Sequence, residues 1–285
     1  MKKLLFLIIV TIAIMPGCVP ESDFDNIAYE PKLVIDGAIE SGGFPTVVLS
    51  KSASYFMNID SSNIRDLFMS TAKVTVSDGI DSEVLTLKRD DLSFPPYVYE
   101  GTSLKGESGK TYTLTVEADG ELYTSTTTIP EPAKLDKLWF ELSAGKDSLG
   151  YVYAQFTDPA DETNYYRIFT ERLHQDTRFI PVYLSAMGDQ YFNGQQFTFT
   201  ILRGPENYTE IIDDLHFKKG DSVRIKLCSM DKAHFDFWRT VERELYVTGN
   251  PFSSSGNKII SNIEGEKALG VWGGYGVSFY AINIK

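Results

Sequence analysis

Short alternating runs of β-branched and aromatic residues constrain the fold of this chain more than any other feature. The runs are rich in Val, Ile, Thr, Tyr and Phe, and Gly, Pro, Asp or Ser separate one run from the next. Such alternation is typical of β-strands that bury one face. The predicted strands cover residues 33–39, 46–50, 73–77, 83–88, 97–100, 112–118 and 122–129, followed by 137–141, 151–156, 165–171, 197–202, 222–228, 258–261 and 277–284.

The first seven of these strands predict an immunoglobulin-like β-sandwich over residues 30–130. The pair Asp119-Gly120 favours a tight hairpin turn, and closely spaced short strands with turn residues between them are typical of such sandwiches. Two prolines at positions 130 and 132 cannot lie inside a ladder, so a Pro-rich linker is predicted at 131–134. We therefore predict a mainly β protein of two β-sandwich units, the second covering 135–285.

One amphipathic helix is predicted in the second unit, near residues 231–247. Asp231 is a suitable N-cap, and Gly249, Asn250 and Pro251 end the helical pattern. Side chains that recur at steps of three and four residues indicate that one face packs inward. This face consists of Phe235, Trp238, Val241, Glu242 and Leu245.

Residues 1–17 have the composition of an export signal. Two lysines precede an unbroken apolar run over residues 4–14, which is too short to span a bilayer. The segment therefore resembles a signal peptide that is removed.

Cys18 marks the predicted lipid attachment point. It follows Gly17, as the acylated cysteine follows a small residue in the bacterial lipobox, so we predict that Cys18 is the lipidated first residue of the mature protein. Residues 18–29 would then form an acidic tether. The alternative is an ordinary secretory peptide with an incidental cysteine. Several acyl chains would hold the protein firmly in a membrane, because each buried methylene contributes about 0.8 kcal/mol.

The charge balance excludes some classes of partner. The formal net charge is −12, and no segment concentrates Lys or Arg. This argues against binding to nucleic acid and against docking on an anionic lipid surface. The predicted contact with the membrane is therefore the N-terminal lipid.

Few residues resemble a catalytic or metal site. His174, His216 and His234 have no partner at metal-ligand spacing, and His234 is expected at a surface or rim. Cys228 is expected to be a small filler of the core, with a reactive thiol beside Arg224 and Lys226 as the alternative. We predict no cofactor and no catalytic residues.

Two loops hold weaker candidates for binding. Asp158, Asp161, Glu162 and Asn164 supply oxygen ligands of the kind that calcium prefers, although such residues are also ordinary in turns. The glycine-rich stretch 270–276 predicts a turn or bulge before the last strand.

Five aromatic residues are candidates for contact with a partner or ligand. Under the alternative interpretation of the glycine-rich stretch, Trp272 and Tyr275 are exposed at a recognition surface. Tyr55, Phe56 and Phe68 belong to a second candidate surface, a long predicted loop.

Several segments resemble one protein family over nearly the whole mature chain. They are 33–37, 47–52, 109–114 and 128–130 in the first half, and 156–159, 164–167, 250–254, 261–263 and 270–275 in the second. Together with Cys18 they are similar to a Bacteroidetes outer-membrane lipoprotein family known as domain of unknown function number 4249. The resemblance implies that the gene lies beside a gene for a TonB-dependent outer-membrane transporter. It identifies no catalytic residues in this sequence.

The predicted function is therefore that of a non-catalytic accessory or binding lipoprotein of the outer membrane, working with a TonB-dependent transporter. It would lie at the cell surface or on the periplasmic face. A surface hydrolase acting on peptide or glycan is one alternative, and a structural or adhesive surface subunit is another.

Overall fold

The computed structural model describes residues 30–53, 64–90, 95–160, 162–205, 215–247 and 258–285. Within these ranges the protein is mainly β, as predicted, with one α-helix, α1 (Lys232–Val247), and a short 3₁₀ helix at Ile64–Leu67. The strands are β1 (Leu33–Glu40), β2 (Thr46–Lys51), β3 (Lys73–Ser77), β4 (Ser82–Val84), β5 (Thr86–Arg89), β6 (Tyr97–Glu100), β7 (Thr111–Ala118), β8 (Glu121–Thr128), β9 (Lys137–Leu142), β10 (Leu149–Thr157), β11 (Tyr165–Arg172), β12 (Ile180–Gly188), β13 (Gln196–Ile201), β14 (Phe217–Lys218), β15 (Ser222–Met230) and β16 (Ala268–Asn283).

An eight-stranded sheet forms the backbone of the fold, with the strand order β12-β11-β15-β16-β1-β2-β6-β5. Two four-stranded sheets pack on one of its faces. The first, β4-β3-β7-β8, encloses a core with Ile35, Ile39 and Trp272, and the second, built around β10, encloses a core with Ile225 and Leu227. The arrangement is sandwich-like, as the alternating strands predict.

The eight-stranded sheet crosses the domain boundary that the sequence predicts at 131–134. The last strand, β16, pairs in parallel with β1 and antiparallel with β15, so strands from 30–130 and 135–285 share one sheet. Residues Pro31–Lys285 form one compact unit. The predicted boundary therefore does not separate the sheets of the two halves, because the pairing of two distant strands leaves no signal in local alternation.

The glycine-rich stretch 270–276 lies in the middle of β16 and is not the predicted turn. Its glycines are needed because neighbouring backbone approaches closely. A Cβ at Gly270, where φ is +128°, would lie 1.9 Å from the carbonyl oxygen of Ile35, and one at Gly276 would lie 2.1 Å from that of Pro130. Glycine in a strand often marks such an approach.

Local predictions elsewhere are partly confirmed. The hairpin turn between β7 and β8 has positive φ at Asp119 (51°) and Gly120 (80°), as its sequence predicts. The predicted strand 83–88 is instead divided at the buried Leu85 into β4 and β5, which belong to different sheets. Strands β12 and β14 were not predicted, and the predicted strand at 258–261 is not one.

Helix α1 covers part of the open face of the eight-stranded sheet, next to β11, β12 and β16. The predicted N-cap is confirmed, since Asp231 Oδ1 accepts a hydrogen bond from the backbone nitrogen of His234 at 2.8 Å. The described part of the chain contains no helix long and apolar enough to cross a membrane.

The face that α1 buries differs in part from the predicted one. Phe235 and Glu242 are buried as expected, whereas Trp238 and Val241 are only half-buried and Leu245 is exposed. The other buried residues of α1 are His234, Phe237 and Thr240.

Candidate functional site

A pocket of about 340 Å³ lies on the open face of the eight-stranded sheet, beside α1. Alternation along β1 places Asp36 and Glu40 on this face, while Ile35 and Ile39 point into the core on the other side. Strands β11, β15 and β16, helix α1 and the start of β12 supply the remaining walls. We call this cavity the Arg167 pocket, after the cation at its centre.

Arg167 is buried without an ion pair to any residue that the structure describes. It is only 4% exposed. Its Nε donates to Ser185 Oγ and its Nη1 to Tyr275 Oη, both at 2.9 Å, and the guanidinium carbon lies 3.5 Å from the centre of the Trp238 ring. Among the described residues, no carboxylate contacts it. Burying a charge without an ion pair costs free energy, so the position of Arg167 calls for a functional explanation.

Ser185 links Arg167 indirectly to the carboxylate of Glu242. Its hydroxyl donates to Glu242 Oε1 of α1, and the Glu242 carboxylate also accepts the backbone N–H groups of Ser185 (3.1 Å) and Ala186 (3.3 Å). Ser185 and Glu242 are both buried. The network fixes the position of the guanidinium without neutralising it directly.

A strained bulge in β12 brings Ser185 to Arg167. Arg167 pairs with Ala186, but Phe169 pairs with Pro181, so β12 has several extra residues at this point. Within the bulge Leu184 has a φ of 50°, which is uncommon for a residue other than glycine. Backbone strain of this kind clusters at functional sites. The bulge therefore supports this pocket as the candidate site.

The other charged groups of the pocket are of two kinds. Lys226 forms an ion pair with Glu40 at 2.6 Å and also lies over the ring of Phe169. Asp36 and Arg178 are exposed at the pocket and make no hydrogen bond or ion pair within the described part of the chain. Protein atoms around Asp36 raise its pKa, although solvent reaches its carboxylate, and the charge of Arg167 opposes the rise.

His234 is buried, not at a surface or rim as predicted. It is 1% exposed, its ring lies 4.4 Å from that of Tyr275, and burial and the charge of Arg167 lower its pKa to about 3. The imidazole is therefore neutral near pH 7. Its Nδ1, like Nε1 of Trp238, is buried without a hydrogen-bond partner.

Trp272 and Tyr275, predicted as exposed contact residues, are both buried. Trp272 is 0% exposed and its Nε1 donates to the carbonyl oxygen of Tyr112 at 3.0 Å, on the core side of β16. Tyr275 is 4% exposed and holds Arg167, and burial raises its pKa. The prediction of an exposed recognition surface is wrong here, because the glycines of β16 allow close packing on both of its faces.

Of the remaining aromatic candidates, only Phe68 lies within the described residues, and it does not line the Arg167 pocket. Phe68 is half-buried and bridges to Ser50 at the edge of β2. Tyr55 and Phe56 lie outside the described residues.

The predicted calcium loop is not assembled as a cluster. Asp158 is buried and accepts hydrogen bonds from Tyr166 Oη at 2.5 Å and from the backbone nitrogen of Gly194 at 3.2 Å. Asn164 donates to the backbone oxygen of Glu162 at 3.2 Å, and Asp161 lies outside the described residues. The described ranges hold no group of three or more His, Cys, Asp or Glu residues that could bind a metal.

Cys228 is a buried part of the core beside Phe169 and Phe235, as the filler interpretation predicts. Burial raises the pKa of its thiol to about 12, so it is not a reactive thiolate near neutral pH.

Sequence reasoning missed the central residue of the site. Arg167 lies in the strand sequence Tyr165-Tyr166-Arg167-Ile168-Phe169, where the whole run from Tyr166 to Glu171 is buried. An arginine inside such an apolar run is the signal that could have identified it, because long charged side chains are almost never fully buried without a partner.

Comparison with known proteins gives one match. The family model described as "Domain of unknown function (DUF4249)" matches residues 20–280. No curated protein matches the chain. The family match agrees with the resemblance seen in the sequence motifs and covers almost all of the chain, which therefore belongs to the DUF4249 family.

Proposed function

We propose that this protein is a lipid-anchored, non-catalytic binding module of the outer membrane that works beside a TonB-dependent transporter and holds a small ligand in the Arg167 pocket. One observation carries the binding role. Arg167 is 4% exposed, makes no contact with a carboxylate of the described chain and lines an open pocket. A bound ligand with an anionic group would complete this site.

The chemistry of the pocket favours binding over hydrolysis. None of the residues that line it is a Ser, Thr or Cys nucleophile, and His234, with a pKa of about 3, is a poor general base near pH 7. Of the two carboxylates that line the pocket, Glu40 is held by Lys226 in an ion pair at 2.6 Å, so the pocket offers no free pair of carboxyl groups of the kind that glycosidases use.

The membrane part of the proposal comes from the N-terminus. Cys18 after Gly17 supplies the acylation site, and the acidic tether 18–29 would keep the folded unit near the bilayer, on either face of the outer membrane. A neighbouring transporter would then be within reach. The DUF4249 resemblance is what makes a TonB-dependent transporter the expected partner.

Crosslinking in intact cells tests the partner. The full-length protein with a C-terminal affinity tag is crosslinked, purified from solubilised outer membranes and searched for a co-purifying transporter. We expect capture of a transporter from wild type and no turnover of peptides or glycans by the purified mature protein. Capture of none, or hydrolysis of either substrate class, would overturn the proposal in favour of a hydrolase or an adhesive subunit.

Fractionation tests the anchor. Cys18→Ser should move the protein from the membrane to the soluble fraction, because no acyl chain can then be attached. Cys228→Ala is the matched control, since it removes the other cysteine and should leave the protein in the membrane. Tight membrane association of Cys18→Ser would contradict the lipid anchor.

A further inference from the structure

The guanidinium of Arg167 keeps one nitrogen available for a ligand. Nε and Nη1 are occupied by Ser185 and Tyr275, and stacking on Trp238 fixes the plane of the group. Nη2 has no hydrogen-bond partner among the described residues, and Arg167 lines the pocket, so this nitrogen is the donor left for a ligand. A fixed planar donor of this kind suits a carboxylate.

Asp36 presents a free charge of the opposite sign to the same pocket. Its carboxylate is exposed, makes no hydrogen bond or ion pair within the described ranges, and is not in contact with Arg167. Lys226 and Glu40 already neutralise each other at 2.6 Å. The pocket therefore offers unpaired charges of both signs, Asp36 on one side and Arg167 with the exposed Arg178 on the other, which is complementary to a ligand that carries both a negative and a positive charge.

The volume of the pocket suits a small molecule. Its volume of about 340 Å³ corresponds to roughly eleven water molecules at about 30 Å³ each. This lies at the lower end of the range for ligand pockets, which runs from roughly 300 to 1,000 Å³. The rings of Phe169, Phe179 and Trp238 supply apolar walls for the uncharged part of a ligand.

We propose that the Arg167 pocket binds a small zwitterion of the amino-acid type, with its carboxylate on Nη2 of Arg167 and its ammonium group toward Asp36. The inference rests on the proposed function only in taking this pocket as the binding site. Arg178, exposed at the same pocket, adds a second cation to its lining.

Calorimetric titration of the mature protein tests the charge requirement. The probes are a panel of free amino acids, together with the matched trio phenylalanine, 3-phenylpropionate and phenethylamine, which carry both charges, only the carboxylate and only the ammonium group. We expect at least one amino acid to bind about tenfold or more tightly than its analogue lacking either charge. If none of the panel binds, or if the carboxylate-only analogue of the best amino acid binds equally well, the inference is wrong.

Two variants assign the contacts. Asp36→Asn should reduce the affinity for the amino acid to that of its carboxylate-only analogue and leave the affinity for that analogue unchanged. Arg167→Met should abolish binding of both. Asp147→Asn, an exposed carboxylate on the turn before β10, is the matched control and should change neither.

Arg167 is buried, so if Arg167→Met does not fold, Asp36→Asn, at an exposed position, carries the test alone. Unchanged amino-acid binding by Asp36→Asn would overturn the inference. Crosslinking to a transporter is measured without these ligands. Capture of a transporter by a protein that binds no amino acid would overturn this inference and leave the proposed function standing.

Discussion

Gly273 of β16 lies directly beneath the imidazole of His234 on α1. A Cβ atom at position 273 would lie 1.9 Å from Nδ1 of His234, far inside van der Waals contact. The glycine therefore allows the helix to approach the sheet closely enough for Trp238 to stack on Arg167. The Arg167 pocket depends on this contact, which joins two residues that no local sequence pattern connects.

Replacing Gly273 should show how much the contact matters. We expect Gly273→Ala to lower the free energy of unfolding by about 1 to 3 kcal/mol, because the added methyl group displaces the buried ring. Urea unfolding of Gly273→Ala, His234→Ala and the double variant measures the coupling. The double variant should lose less stability than the sum of the two single losses. Strict additivity would mean that the two side chains do not interact.

The tryptophans should differ in their contributions to stability. Trp272 is fully buried and its indole nitrogen is hydrogen-bonded, so Trp272→Ala should lower the free energy of unfolding by about 3 to 5 kcal/mol. Trp238 is half-buried at the pocket wall, and Trp238→Ala should cost about 1 to 3 kcal/mol. Chemical denaturation of the two variants compares them. An equal or larger loss for Trp238→Ala would contradict the burial seen here.

Glu83 should stabilise the fold in a pH-dependent way. Burial alone would raise its pKa, but hydrogen bonds from Leu104, Thr102 and Ser103 outweigh that effect and hold the pKa at about 2. Because the folded pKa lies below the unfolded value, the stabilisation is complete above about pH 4.5 and is lost as the pH falls toward 2.

The variant Glu83→Gln tests this dependence. At pH 7 it should lower the free energy of unfolding by about 1.5 to 3 kcal/mol, the usual range for hydrogen bonds to a charged group. The difference from wild type should shrink when unfolding is measured at successively lower pH. Glu117→Gln, at an exposed position on β7, is the control and should show a small difference at every pH. A difference for Glu83→Gln that stays constant down to pH 2 would contradict the assignment.

His234 should make the stability of the fold depend on pH over a higher range than Glu83 does. Its pKa is about 3 in the folded state, against an ordinary value of 6.5 for histidine, because burial and the charge of Arg167 disfavour the imidazolium form. Between these values the unfolded chain binds the additional proton, so the free energy of unfolding should fall by up to about 1.4 kcal/mol per pH unit as the pH drops below 6.5. In His234→Gln this part of the slope should be absent. The same slope in both proteins would show that other groups cause it.

Local residue patterns carry much of this fold. The alternation in Thr111–Ala118 and Ser222–Met230 predicts strands with the correct inward faces, the pair Asp119-Gly120 predicts the turn, and Asp231 predicts the start of α1. These signals are readable because a strand repeats every two residues, a tight turn requires particular φ values, and a cap requires one side-chain oxygen.

The candidate site could be identified only from the tertiary structure. Strand β16 joins the two halves of the protein, and its glycines are explained only by what packs against them, such as Ile35 and His234. The sequence by itself determined most of the strands and where the helix begins. Only the folded chain decided that Asp36, Arg167 and Tyr275 would meet at one pocket, because contacts between distant residues depend on strand pairing and close packing, which no local period records.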